Sequence, residues 1–243
     1  MDISDLNKKK NDQIAKFFKG LTKLAIEIDP NKVIPLEQTE IIIRSMYEQE
    51  HRYYHNIKHI NFCLNKLKEY RKATKSGESN CEALLKFAIL THDIIYIPGN
   101  DGDEIHSGFV AKALIMQLGT RLFSDMAPQD IANELESLIY ITSHVIAPTH
   151  QHRQHCNEAI IADVDLAILG ADPKTFKQYE KNIRKEYGST RDSYFNKGRF
   201  KFLQQISNKS NIFWTEYFKD TYEQQARINI KESMAILQPK VYL

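Results

Sequence analysis

Chain-breaking residues are scarce, and this constrains the fold more than any other feature. Nine glycines and seven prolines punctuate 243 residues. The segments between them are long, which favours helices over many short strands. Apolar residues recur at helical spacing. Ile14, Phe17, Phe18, Leu21, Leu24 and Ile28 share one face, and Ile60, Leu64 and Leu67 another. Leu84, Leu85, Ala88 and Ile89 mark a third, and Val110, Ala113, Leu114 and Leu118 a fourth, closed by Gly119. Ile131, Leu135, Leu138, Ile139 and Thr142 mark a fifth, and Phe176, Tyr179, Ile183 and Tyr187 a sixth, closed by Gly188. A terminal helix is expected from about residue 217 to 237. Breaks are expected near residues 30–35, 74–80, 98–102, 124–128 and 148–155. Ser79, three residues before Glu82, fits a capping box. Asp172 before Pro173 fits an N-cap with proline at the first helical position. The fold class is therefore all-α, with no internal repeat.

Charge narrows the function classes. Thirty-three basic and thirty-one acidic residues leave a formal charge of +2, so no strong field points to a nucleic-acid polymer or a membrane surface. No apolar run approaches the roughly 18 residues of a membrane span, and the polar N-terminus offers no signal-peptide core. Cys63, Cys81 and Cys156 lack metal-thiolate spacing, so a reducing cytoplasmic location is expected.

The chemistry concentrates between His51 and His155, which bracket all nine histidines. His55 and His59 are four apart and would share a helix face; whether both or only one would meet an ion stays open. His92–Asp93 ends an apolar helix and precedes Ile94, Ile95, Tyr96, Ile97 and Pro98, which cannot continue far as helix. A histidine and an aspartate in apolar surroundings need partners if buried, and a metal ion or a mutual hydrogen bond would satisfy them. Asp163 and Asp165 interrupt a second apolar stretch; a cation, or an N-cap and an ordinary salt bridge, would explain them. Imidazole and carboxylate donors without thiolate suit Mn, Co, Ni, Fe or Mg rather than structural zinc. Arg52 is equally suited to clamping phosphate and to pairing with Glu48 or Glu50. Arg184 and Glu186 read as structural salt-bridge residues. Tyr194, Phe195, Phe200, Phe202, Phe213, Trp214, Tyr217 and Phe218 read as C-terminal core rather than a stacking platform, and His150, His152 and His155 as solvated.

The ordered set of motifs resembles the HD superfamily of metal-dependent phosphohydrolases, in particular a subgroup of predicted hydrolases. The segments that carry the resemblance are RYYHNIKHI (52–60), THDIIYIP (91–98), DEIHS (103–107), TSH (142–144) and DVDLAILG (163–170). It continues into IRKEY (183–187) and ARIN (226–229), covering about residues 35–235. The resemblance implies an HD-domain helical bundle with additional N- and C-terminal helices. It is expected to be one domain over residues 1–243, with a metal-site core at about 50–170 and a helical extension at about 172–240. It implies His59, His92, Asp93 and Asp165 as ligands of a divalent ion, with Asp163 close by. It implies Asp93 and Glu104 in proton transfer, with Arg52 and His144 neutralising the phosphoryl group. His55, Arg52, Ser107 and His144 would contact the substrate. Ile95 and Tyr96 stand where some HD enzymes carry Gly-Lys, which weakens any transfer of cyclic-dinucleotide or guanosine-tetraphosphate chemistry. A small phosphorylated substrate, such as a nucleotide, is the expected partner. Two rival readings remain: an HD-type oxygenase with two irons, and a non-catalytic nucleotide or metal sensor. A homodimer is compatible with a compact helical chain, with no interface signal in the sequence.

Overall fold

The computed structural model describes residues 12–76, 81–123, 125–144 and 157–237, and among them there is no strand. The helices are α1 (Gln13–Ile28), α2 (Val33–Tyr47), α3 (Ile57–Thr74), α4 (Glu82–Thr91), α5 (Asp103–Leu118) and α6 (Pro128–Tyr140). They continue as α7 (Asn157–Leu166), α8 (Pro173–Glu186), α9 (Asp192–Ser207), α10 (Glu216–Phe218) and α11 (Gln224–Leu237). One hydrophobic cluster includes Ile14 of α1, the faces of α3 to α9, and Ile230 of α11. The C-terminal helices therefore share the core of the segments that carry the histidines. No helix is long and apolar enough to cross a membrane among the described residues.

Local chemistry sets most of the starts and stops. The Asp12 side chain accepts from Ala15 N and opens α1, whose buried Ile14, Phe18, Leu21 and Ala25 lie on one stripe. Ile28, expected on that face, is 48% exposed at the C-terminal end of the helix. Asp172 caps α8 through Lys174 N and Thr175 N with Pro173 at the first position, as expected. Gly119 ends α5 at φ 92°, a left-handed value that glycine adopts without a Cβ penalty.

Three elements depart from expectation. Residues 30–35 are not simply a break: Pro35 falls in the first turn of α2, where its missing N–H costs nothing. In α5 the buried face runs through Ser107, Ala111, Leu114 and Leu118, and Ala113 is exposed. The terminal helix is interrupted by a π-helical turn, Lys219–Glu223, between α10 and α11. The Glu223 carboxylate accepts from Ile212 N at 3.0 Å and Phe213 N at 3.2 Å, anchoring that turn to the preceding loop. Ser79, His150, His152, His155 and Cys156 lie outside the described residues; the Glu82 carboxylate is bound by Arg71 at 2.7 Å.

Candidate metal centre

Four chain segments end at one point. Asn56 caps α3 by accepting from Lys58 N, which puts His59 in that helix's first turn. His92 is the C-cap of α4, and Asp93 follows in the turn. Asp165 is the penultimate residue of α7. His144 follows the 3-10 turn Ile141–Ser143 that extends α6. Helix ends suit this work because adjacent residues within a helix diverge by about 100°, and only a turn lets His92 and Asp93 converge.

The donor atoms lie at ligand spacing. His59 Nε2 is 3.2 Å from His92 Nε2, 3.4 Å from Asp93 Oδ2 and 3.2 Å from Asp165 Oδ1. His92 Nε2 is 3.1 Å from Asp93 Oδ2 and 3.4 Å from Asp165 Oδ1. An ion bonded at roughly 2.0–2.2 Å to nitrogen and oxygen puts neighbouring ligand atoms roughly 3.0–3.5 Å apart. His59, His92 and Asp165 form a possible metal-binding triad, and Asp93 Oδ2 stands within the same range of both imidazoles. The His92 Nδ1–H group donates to Ile89 O at 2.9 Å, which leaves the Nε2 lone pair facing the centre.

Carboxylates and imidazoles face one another at this centre. Among the described residues, only imidazoles lie within ion-pair distance of Asp93 and Asp165. Burial opposes a charged His92, but the two carboxylates outweigh it and hold its pKa well above the ordinary value. Burial likewise opposes ionised Asp93 and Asp165. The imidazoles, led by His92 for Asp93 and by His144 for Asp165, pull both well below the carboxylate range. Imidazole nitrogens and carboxylate oxygens at this spacing are a donor set that suits a divalent ion. Among the described residues, the buried side-chain polar atoms without a partner are the hydroxyls of Tyr47 and Tyr54. Both flank this centre: Tyr47 sits within the field of Asp93 and His59, and the Tyr54 ring is 4.8 Å from that of His59.

Several residues singled out in the sequence do other work. Arg52 pairs with neither Glu48 nor Glu50. Its guanidinium donates to the carbonyls of Asp93 at 2.6 Å, His55 at 3.1 Å and Ile94 at 2.9 Å, and to Gln49 Oε1. A planar donor fork is well matched to gathering carbonyls, so Arg52 fixes the turn that presents Asp93 instead of holding phosphate. Ser107 is fully buried; it accepts from Ile95 N and donates to Ile95 O, pinning the same turn rather than touching a substrate. Asp163 faces away from the centre and accepts from Trp214 N, Thr215 N and Thr215 Oγ1, tying α7 to the C-terminal segment. Two residues apart on a helix point to nearly opposite sides, which is why Asp163 and Asp165 cannot share one ion. His55 precedes α3 and does not share a helix face with His59. Arg184 behaves as expected, bonded to Asp192.

Glu186, expected to be an ordinary salt-bridge residue, is a buried clamp. Its Oε1 accepts from Tyr54 N at 2.6 Å and His55 N at 2.8 Å. Its Oε2 lies 2.7 Å from His55 Nδ1 and accepts from Tyr96 Oη at 2.9 Å. No local pattern signals this, since the partners are 90 to 132 positions away. Burial would raise the Glu186 pKa, but His55 and the two backbone donors outweigh it and hold it below the ordinary value. Its contribution to stability is therefore complete above the carboxylate range and disappears as pH falls through the depressed value. A Glu186→Gln variant, which cannot ionise, is expected to lose about 1.5–3 kcal/mol at neutral pH. That deficit should shrink in acid; a deficit constant with pH, in melts from pH 3 to 8, would rule out this role for the charge.

A cavity of about 450 Å³ opens beside the centre. Asp93, Asp165, His144, Glu104 and His55 line one end; Tyr96, Tyr179, Tyr187, Phe195 and Phe202 line its walls. Part of the aromatic set read as core is thus cavity wall, while Phe213 and Phe218 are core. His144 Nε2 is 2.8 Å from Asp165 Oδ2, on the oxygen that does not face His59. Its backbone is left-handed at φ 57°, held by Ile141 O and by Lys209 Nζ on its own carbonyl. An L-residue pays roughly 1–2 kcal/mol for that conformation. Burial, and then the charge of Asp93, hold the Glu104 carboxyl above its ordinary pKa. The chain matches no family model, no curated protein and no solved structure.

Proposed function

We propose that this chain is a metal-dependent phosphohydrolase of the HD type, acting on a small phosphoester from the cavity beside the centre. The observation that carries this reading is the convergence of His59, His92, Asp93 and Asp165, with donor atoms 3.1–3.4 Å apart, at one end of a cavity. These four residues would hold Mn, Co, Ni, Fe or Mg, a set of ions suited to mixed nitrogen and oxygen donors. A divalent ion bound there supplies Lewis acidity and makes water a competent nucleophile near neutral pH. Glu104, with its raised pKa, is the group to accept the proton from the attacking water. His144 and His55 face the same space and would hydrogen-bond the phosphoryl oxygens, taking over the role that Arg52 cannot fill. Arg52, Ser107 and Glu186 hold the turns that carry Asp93 and His55.

The test is phosphate release from nucleotides and small phosphoesters, with each metal supplied separately. A Glu104→Gln variant is expected to retain bound metal and lose about 10²- to 10⁴-fold in turnover. Unchanged turnover would remove Glu104 from proton transfer. A second reading, a two-iron oxygenase, draws on Glu104 and His144 as further donors lining the cavity. Tightly bound iron and oxygen uptake in place of phosphate release would select it.

A further inference from the structure

The proposed hydrolysis uses only one end of the cavity. At another part of the wall Arg199 of α9 is held rigidly. Its Nε and Nη2 both bond Glu180 Oε1, and Nη2 also donates to Tyr179 Oη at 2.7 Å. Glu180 Oε2 accepts in turn from Ser233 Oγ at 2.9 Å. The guanidinium carbon lies 5.0 Å from the Tyr179 ring centre and 4.9 Å from that of Phe202. Arg199 lines the cavity, yet its Nη1 donates to no protein group among the described residues.

Charge decides what those free donors can read. Glu180 already neutralises Arg199, and among the described residues no other lysine or arginine lines the cavity. A second anion at this wall would be desolvated without a counter-ion, which is costly. An uncharged planar ring would instead pack on the aromatic wall and offer an acceptor to Nη1. Steps of 4.8, 4.5 and 5.0 Å lead from the His59 ring through Tyr54 and Tyr179 to Arg199, a path longer than a bare phosphate.

We propose that Arg199 is a specificity-determining residue that reads a hydrogen-bond acceptor on an uncharged planar ring at the substrate's far end. The substrate is then a phosphomonoester of a ring-bearing alcohol, not a simple sugar phosphate; this rests on the phosphohydrolase reading for the phosphoryl end only.

The test is calorimetric binding of uridine 5′-monophosphate, orotidine 5′-monophosphate and ribose 5-phosphate to the full chain loaded with manganese. The wild type is expected to bind the uridine ester about tenfold more tightly than either other probe. Arg199→Met should close the gap between uridine and ribose esters. Glu180→Gln keeps an acceptor for Arg199 but leaves its charge uncompensated, and should shift preference toward the carboxylate-bearing orotidine ester. Equal wild-type affinities for the uridine and ribose esters, or no binding of any probe, overturn the proposal. So does an uridine-to-orotidine ratio unchanged by Glu180→Gln, which decides the matter if Arg199→Met fails to fold. Ring preference without phosphate release would sustain the role of Arg199 and overturn the hydrolase.

Discussion

An Asp93→Ala variant is expected to purify without its divalent ion and to release no phosphate above background. Asp93 and Asp165 are the two carboxylates at the centre, and together they match the charge of a divalent ion. Removing one leaves a buried net positive charge beside His59 and His92, whose nitrogens stand 3.4 and 3.1 Å from the lost oxygen. Breaking a buried charge pair costs roughly 3–5 kcal/mol, or about 10²- to 10⁴-fold in affinity. Because the Asp93 carbonyl still accepts from Arg52, the turn should keep its shape, and circular dichroism should report the same helix content. Metal analysis of the variant against the wild type decides the question. A full complement of metal in the variant would remove Asp93 from the ligand set, and with it the proposed chemistry.

Gly170→Ala is expected to cost about 3 kcal/mol of stability, with a melting temperature lower by roughly 6–12 °C for a chain of this size. The cause is close approach. A Cβ at Gly170 would meet Tyr222 Cβ at 2.6 Å, its carbonyl oxygen at 2.7 Å and its Cα at 3.0 Å. Two of these atoms are backbone, so no rotamer change relieves the overlap; the turn Ala167–Gly170 and the π-helical turn must move apart. That turn directly follows the helix that carries Asp165, so looser metal binding should accompany the lower melting temperature. A variant that melts with the wild type would show that the two turns separate at little cost.

The local periodicity of the chain determined a great deal. Apolar residues at three- and four-residue spacing specified the all-α class and most helices, because a helix needs only its own backbone hydrogen bonds and one apolar stripe. The ends of those helices were legible where a cap chemistry is local, as at Asp172 or Gly119. The cost of burying charge inside apolar runs pointed to His92–Asp93 and to the Asp163/Asp165 pair and left the choice within that pair open; the grouping of His59, His92, Asp93 and Asp165 came from the motif resemblance. α2 escaped notice because Pro35 reads as a breaker unless it is known to fall in the first turn.

What the sequence could not determine was which buried polar group meets which. Arg52 and a phosphate, or Arg52 and three carbonyls, are equally good chemistry; only the packing of the turn after α4 against the end of α2 decided for the carbonyls. Ser107 serves the Ile95 backbone, and Asp163 serves residues more than 50 positions away. Glu186 reaches His55 across 131 positions, and Arg199 is placed at the cavity wall by Tyr179 and Glu180, 19 to 20 positions away. Periodicity is a property of neighbours along the chain and can be read there. Hydrogen-bond partners between distant segments depend on how the helices pack, and that was settled only when the whole core closed.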